Sequence, residues 1–470
     1  MAQLPHIDSS VRGDDHPRKW AAMAVLGAVA FMAQLDLFVV NVALPAMGDT
    51  YAGASLSALS WVLNAYTVVF AALLIPAGRL ADHFGRRRFL VVGTIVFTVA
   101  SALCAAAPSL AILIEGRTAQ AVGAAVIVPT SLGLLLQAFP MRRHNMVVGL
   151  WAGLAAVAGT LGPTVGGLLV GLGWRWIFLI NVPIGLLIVA FAVRAVPHHR
   201  AATGSHLPDP VSTVSLLTAI TAFVLATVEG PSWGWLTTPV LALYTVAAVA
   251  AALTVRRSVI HPHALIEASM FSSRSFTGAT LALFLYFIGF AAWVLISVLL
   301  LQDVWHYSAL RTGLAIAPGP FVALLWSINA GRIGARLGRR LPAIVGALCL
   351  AGAGAWWVAI VPNQPDYLTG FLPGLVLAGC AAGLVQAPLF AAASALPAQR
   401  ATTGSAVLNT ARQVGSAVGV ALVVLLLGQG HAASLGAFHR GWGLLVVAGV
   451  SAAVTVSLYS RPVIESPADS

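Results

Sequence analysis

"FMAQLDLFVVNVALP", Phe31 to Pro45, is apolar at almost every position, yet Asp36 sits inside it. Which environment surrounds that run decides what the carboxylate is doing there. The chain has 470 residues, of which 59% are hydrophobic and 8% charged, and its mean hydropathy is +0.92. Soluble domains carry roughly 25% charged residues, so this is an integral membrane protein. An ionised Asp at the centre of a membrane helix costs about 2.5–3.5 kcal/mol on insertion scales, and such residues face the interior of a helix bundle and work there. The competing reading of Asp36 is a structural acid permanently paired with a basic residue.

A helix needs about 20 apolar residues to cross a hydrocarbon core of about 30 Å. Runs of that length predict fourteen spans. The first six begin near Trp20, Leu56, Phe89, Leu110, Met146 and Trp176. Two more begin near Val211 and Pro239, and the last six near Phe276, Leu310, Leu341, Leu368, Thr403 and Gly441. With both chain ends cytoplasmic, the tails and connections on that side hold twenty of the 25 basic residues. The outer connections hold Arg175, Arg311 and Arg440, while Arg117 and Arg412 lie within spans. Lysine and arginine concentrate on the cytoplasmic side of short loops, which fixes this orientation. The net charge of +11 therefore reflects topology and lipid headgroup contact. The basic clusters lack the aromatic-interleaved face of a nucleic-acid surface.

Other chemistries are excluded on the same grounds. Cys104, Cys349 and Cys380 all lie in apolar runs, which predicts neither a disulfide framework nor a thiolate site, and the twelve histidines lack metal-ligand spacing. No metal and no cofactor is expected. There is no G-x-x-x-x-G-K-[ST] phosphate loop and no H-E-x-x-H. One G-x-S-x-G match, Gly230–Gly234, falls in the expected outer loop between spans 7 and 8 without a strand-to-helix elbow, and is a coincidence. Residues 1–19 are polar and precede a run long enough to be a span, so no cleavable signal is expected.

The chain repeats itself. "GRLADHFGRRR" from Gly78 and "GRIGARLGRRL" from Gly331 align without gaps, matching Gly78, Arg79, Gly85, Arg86 and Arg87 to Gly331, Arg332, Gly338, Arg339 and Arg340. The copies follow spans 2 and 10, so two six-helix halves are separated by an inserted pair. Helical repeats of this kind mark secondary transporters with a site near the midplane between the halves. The predicted organisation is a cytoplasmic tail (1–19), an N-terminal six-helix bundle (20–195), a linker with two extra helices (196–257), a C-terminal six-helix bundle (258–460) and a second cytoplasmic tail (461–470).

The loop after span 2 resembles the loop 2–3 motif of the major facilitator superfamily. "LDLFVVNVALP" (Leu35–Pro45), "GRTAQAVGAA" (Gly116–Ala125) and "GTLGPTVGG" (Gly159–Gly167) resemble motifs of its drug:proton antiporter branches. "WRWIFLINVPIG" (Trp174–Gly185) and "LNTARQVGSAVG" (Leu408–Gly419) are similar to patterns of the fourteen-helix branch. The ordered set covers nearly the whole chain. It implies an all-α membrane protein of the major facilitator fold that exports amphipathic drugs or antibiotics in exchange for protons by alternating access. It further implies a non-enzyme working as a monomer in the cytoplasmic membrane, driven by the proton gradient, with small substrate, protons and lipids as partners. Two alternatives stand beside it: dedicated export of one metabolite, lipid or siderophore, and a membrane sensor or enzyme that kept the fold without transport.

Depth names a partner for Asp36. It lies about 13 Å below the outer end of span 1, and Arg117 lies about 12 Å down span 4, at 1.5 Å per residue. The two charges share one level. In the family the span 4 arginine is implicated in proton coupling, and Arg117 would bias Asp36 toward ionisation; the structural alternative is an arginine donating to backbone carbonyls. Glu115 is either a second acid of the cavity or an outer-half residue reaching water, and it cannot share a helix face with Arg117 two residues away. In the loop motif Gly78 and Gly85 permit the turn, Arg86 faces the lipid interface, and Asp82 is a latch candidate against the positive end of span 13 at Ala401. The second copy has Ala335 where the first has Asp82. In the antiporter motif Gly159, Gly162, Gly166 and Gly167 allow close helix approach and Pro163 loosens the helix. Asn41, Asn64, Tyr66, Tyr286, Gln386, Asn409, Arg412 and Gln413 are candidates to line a substrate cavity.

Overall fold

The computed structural model describes residues 15–51, 53–140, 143–196, 209–261, 265–338, 340–393, 396, 398–427 and 435–459. The tail expected at 461–470 lies outside them, as does most of the tail at 1–19. The first half contains α1 (Asp15–Thr50), α2 (Leu56–Phe84), α3 (Arg86–Ala106), α4 (Leu110–Ala138), α5 (His144–Leu172), α6 (Trp176–Leu179) and α7 (Asn181–Ala195). Then come α8 (Pro210–Trp233) and α9 (Thr238–Ile260). The second half contains α10 (Arg274–Leu299), α11 (Ala309–Ile316), α12 (Pro318–Leu337), α13 (Arg340–Ile360), α14 (Leu372–Phe390), α15 (Ala398–Leu427) and α16 (Leu435–Tyr459). Thirteen stretches are long and apolar enough to cross a membrane, and α5 adds the shorter apolar stretch Leu161–Leu172 within its 29 residues. The fourteen expected spans are thus all helical. No strand occurs among the described residues.

Helices are what such a sequence must form, since hydrocarbon offers no partner for an open backbone group. Their ends are set by local chemistry. Ser55, Ser109, Ser273 and Ser308 cap α2, α4, α10 and α11 by accepting from the N–H three residues on. Gly85 joins α2 to α3 at φ 103°, a conformation that L side chains rarely adopt. Two spans are interrupted: span 6 at Ile180 between α6 and α7, and span 10 at Ala317, with Pro318 opening α12. Three expectations need correction. The last five residues of the tail predicted at 1–19 belong to α1, α16 starts at Leu435 rather than near Gly441, and Gly230–Trp233 of the G-x-S-x-G match form the last turn of α8 rather than a loop. There Ser232 Oγ donates to Glu229 Oε2 at 2.8 Å, so it caps an acid and is no nucleophile.

The fourteen crossings put both described chain ends on one face, called here the terminal face; the opposite one is the far face. Near the far face the two halves share one apolar core: Val39, Val42, Ala43 and Met47 of α1 belong to the same cluster as Tyr286, Phe290, Trp293 and Leu300 from α10 onward. Gln302 Nε2 donates to the Val42 carbonyl at 3.2 Å across this seam. Nearer the terminal face the N-terminal half has its own core, including Leu26, Met32, Tyr66, Phe70 and Leu135, against which Ala406 of α15 packs from the other half. The halves therefore pack on each other through the shared core near the far face, and nearer the terminal face Thr410 Oγ1 donates to the Ala71 carbonyl at 3.1 Å and Arg79 Nη2 to the Leu265 carbonyl at 3.4 Å.

The inserted pair is not a passive tether. Helix α8 lies along the seam, its Ile220, Val224 and Val228 packed with Val68 and Ala72 of α2 and with Ala417 and Ala421 of α15. Trp61 Nε1 of α2 donates to Glu229 Oε1 at 2.6 Å. At the terminal face Asp209 caps α8 through Ser212 and forks onto Arg257 of α9, with Nε at 2.8 Å and Nη2 at 2.7 Å. The Arg257 guanidinium, then the Ser212 hydroxyl and N–H, hold the Asp209 carboxyl well below the usual carboxylate range. Its folded value lies under the unfolded one of about 3.9, so its contribution is complete above that pH and fades as pH falls below it. Asp209→Ala should lower the thermal unfolding midpoint at neutral pH, by the 0.5–2 kcal/mol of a lost cap (roughly) plus part of the ion pair. The gap between variant and parent should shrink as pH drops below about 3.9.

Candidate functional site

Asp36 and Arg117 meet. Arg117 Nη1 donates to Asp36 Oδ2 at 2.6 Å, and the side chains are 0% exposed. The antiparallel course of α1 and α4 brings them to one depth. Gln120 follows Arg117 by three residues and so shares its face of α4. Its Nε2 donates to Asp36 Oδ1 and to Ser101 Oγ of α3, both at 2.8 Å, while its Oε1 accepts from Arg117 Nη1 at 2.6 Å. Asn181, the first residue of α7 after the break in span 6, donates Nδ2 to Asp36 Oδ1 at 2.8 Å. Arg117 Nε donates to the Val62 carbonyl of α2 at 3.0 Å. One turn on, the ring of Tyr66 covers the guanidinium carbon at 4.3 Å, with Phe178 at 5.8 Å. Six helices, α1, α2, α3, α4, α6 and α7, thus contribute to the surroundings of one ion pair.

The arrangement neutralises a negative charge with a positive one and gives the carboxylate three side-chain donors. Arg117 Nη2 and Asn181 Oδ1 remain without a partner among the described groups. Burial this deep makes the pair costly to break: removing one partner of a buried ion pair costs about 3–5 kcal/mol.

The other sequence-derived candidates scatter. Glu115 is exposed on α4 and makes no hydrogen bond to this network. Gly159 and Gly162 lie against Phe38 and Gly166 against the backbone of Val39, so the motif packs α5 onto α1. Gly167 lies across the seam instead: a Cβ there would fall 2.6 Å from the Ala309 carbonyl oxygen, and one on Gly313 would fall 2.2 Å from that of Pro163. Gly78 is half-buried in α2, and Arg86 reaches Gly133 of α4. Asp82 lies in the last turns of α2, but its side chain is outside what the structure describes, as are those of Ala401 and Thr402.

Among the cavity candidates, Asn41 and Asn409 bond to carbonyls of their own helices, Leu37 and Ser405. Asn64 is buried against Ser60, and Gln413 is buried. Gln386 is half-buried in α14. Arg412 stands 5.4 Å from the Phe287 ring, beside an aromatic ladder of α10 in which Tyr286, Phe287, Phe290 and Trp293 lie 5.3–6.0 Å apart. The Tyr286 hydroxyl and Trp293 Nε1 are buried with no partner among the described groups. Ser101, Gln120 and Asn181 were not singled out from the sequence. Gln120 carried a usable signal, its i+3 spacing from Arg117; Asn181 and Ser101 carried none. No cluster able to hold a metal ion occurs among the described residues.

Two six-helix bundles packed face to face and holding a buried acid–base pair are the frame of a polytopic membrane transporter. The chain belongs to the major facilitator superfamily, whose family model matches residues 26–420. It is 32% identical over 412 residues to the multidrug resistance protein Stp of Mycobacterium tuberculosis, covering 87% of this chain and 76% of that one. It is 35% identical over 403 residues to the methylenomycin A resistance protein of Streptomyces coelicolor, covering 84% and 83%. In fold it resembles the POT family transporter PepTSo (TM-score 0.68, 15% identity, 93% of this chain and 98% of that one). It also resembles the xylose transporter XylE of E. coli in a partially occluded inward-open conformation (TM-score 0.65, 14% identity, 95% and 98%).

If the pair is one interaction, its members are not independent. Arg117→Gln should lower the stability of the purified protein by about 3–5 kcal/mol. Asp36→Asn combined with Arg117→Gln should recover most of that loss, because no charge is left uncompensated. Thermal unfolding midpoints of the four forms give the coupling, and additive losses would show that the two side chains act separately.

Proposed function

We propose that the protein exports amphipathic drugs or antibiotics across the cytoplasmic membrane in exchange for protons, by alternating access. The observation that carries this reading is the buried Asp36–Arg117 pair. It is a titratable group inside one half, with a cation that takes over when the proton leaves. On the orientation set by the basic loops, the terminal face is cytoplasmic, and cargo enters from that side. Arg412 and the buried aromatic ladder of α10, which lie between the halves in the described form, would meet a flat amphipathic molecule once the halves separate. When the far half of α1 separates from α10, outside water reaches Asp36 and a proton displaces Arg117 from Oδ2. Arg117 keeps the Val62 carbonyl, Gln120 Oε1 and the Tyr66 face, which hold its guanidinium while its counter-charge is absent. Return to the inward form and loss of the proton restore the pair. Relatives named for resistance to several drugs support the breadth of cargo.

A second reading, dedicated export of one compound, is favoured by relatives named for single antibiotics, methylenomycin A, puromycin and actinorhodin. A panel of unrelated dyes and antibiotics in cells with and without the protein separates the two.

The coupling is tested in proteoliposomes under an imposed pH gradient. The intact protein should move a fluorescent amphipathic dye uphill and stop when an uncoupler is added. Asp36→Asn should still exchange dye downhill but lose uphill transport. Uphill pumping by Asp36→Asn at the parent rate would refute the coupling role. Asp82→Asn should slow turnover of a folded protein as the cytoplasmic latch; an unchanged rate would reduce Asp82 to a topology residue.

A further inference from the structure

The offset that superposes the two loop motifs also superposes α5 on α15. It carries Gly159, Gly162 and Gly166 onto Arg412, Gly415 and Gly419. Residues at these spacings share one face of a helix. Two of the three positions keep one role in both halves. Gly162 and Gly166 press α5 onto Phe38 and Val39 of α1. A Cβ on Gly415 would strike the Phe284 carbonyl of α10, and one on Gly419 that of Ile288. At the third position the first half has a packing glycine and the second has a guanidinium. An arginine therefore stands in the α15–α10 contact, one turn before the two helices touch backbone to backbone.

Arg412 lies at the middle of the 30-residue α15, where a charge has to find an anion, carbonyls or water. Among the described residues its guanidinium donates to no group. It rests 5.4 Å from the ring of Phe287, itself at the middle of α10. No described carboxylate acts on its charge; the titratable group that does is the Tyr66 hydroxyl of α2. Tyr66 is 2% exposed, and that hydroxyl makes no hydrogen bond among the described residues. Asp36 is not free to serve, since Arg117, Gln120 and Asn181 occupy its oxygens. Three helices drawn from both halves thus bring an unmatched cation, an unused hydroxyl and an aromatic face together at mid-depth.

We propose that the cargo is a planar aromatic acid, whose carboxylate pairs with Arg412 and accepts from the Tyr66 hydroxyl while its rings lie against Phe287. This rests on the export reading and adds to it the charge of the cargo. Guanidinium and carboxylate match as a two-pronged hydrogen-bonded pair, and the pairing strengthens where water is excluded. A cationic cargo would meet like charge at Arg412. A neutral one would leave the guanidinium without a counter-charge as the halves close round it.

The test uses the full chain in proteoliposomes under an imposed pH gradient, with dye content read after lysis at one pH. Two dyes share a xanthene scaffold: fluorescein carries a free carboxylate, and rhodamine 123 is a methyl ester with net positive charge. Fluorescein should move uphill about tenfold faster than rhodamine 123 or better, as loss of a charge-assisted pair implies. Arg412→Gln should raise the KM for fluorescein by about the same factor, and Arg412→Lys should recover part of it. Tyr66→Phe keeps the ring over Arg117 and should raise that KM by a smaller factor. Arg412→Glu should reverse the preference between the dyes, a result that a merely structural arginine does not give. Rhodamine 123 moved as fast as fluorescein, with the ratio unchanged in Arg412→Gln, would overturn the charge assignment and leave the export reading standing. Movement of neither dye by the intact protein would overturn both.

Discussion

A carboxylate at membrane depth has to be neutralised, and here one guanidinium does it. From that constraint follows much of the N-terminal half. Asp36 and Arg117 meet only if α1 and α4 run antiparallel with their midpoints level. The remaining lone pairs of Asp36 then draw Gln120 from α4 and Asn181 from α7, Gln120 engages Ser101 of α3, and Arg117 reaches back to α2 at Val62. A buried pair is weak evidence for stability, since apolar replacements are often as stable. The incomplete satisfaction of Arg117 Nη2 and Asn181 Oδ1 points the same way. On the proposed reading, the slack is what lets Arg117 trade partners when Asp36 takes a proton.

The seam between the halves is governed by a different constraint, the closeness of backbones. Gly167 and Gly313 face each other's helices so closely that a methyl group on either would collide with a carbonyl oxygen. Such contacts have no side chains to interdigitate, and a helix can roll on them with little repacking. Helix α8 runs along the same seam with one face on α2 and another on α15. The inserted pair therefore touches both bodies that must move relative to each other, and its Glu229–Trp61 hydrogen bond commits it to the first.

Much of this was legible in the sequence, and the limits are physical. Span number followed from apolar length, and the Asp36–Arg117 meeting from counting residues down two oppositely directed helices. Both depend on distances along an axis. What was lost depends on azimuth. Glu115 sits two residues from Arg117, and its exposure follows once the face of α4 is known. Asn181 and Ser101 approach Asp36 from helices whose rotation no single-sequence pattern fixes, because a membrane helix is apolar all round and carries little amphipathic signal. Glu229 went unremarked because it lies near the end of its span, where an acid needs no special explanation.

The repeat makes the asymmetry of the site informative. Gly78 and Gly331 stand 253 positions apart (331 − 78), and the same offset carries Leu56, the first residue of α2, onto Ala309, the first of α11. It carries Asp36 onto Gly289, which is wedged against Ala448 and Leu350 with no room for a side chain. The second half has close helix packing where the first holds its acid, and the aromatic ladder of α10 stands with Arg412 nearby. Two halves of common design thus carry different chemistry. One holds a carboxylate sealed among hydrogen bonds, and the other buries a row of rings beside a cation. On the proposed reading the proton acts on the first half and cargo on the second. Exchange between them then has to be mechanical, through the glycine-lined seam, since no described carboxylate spans the distance.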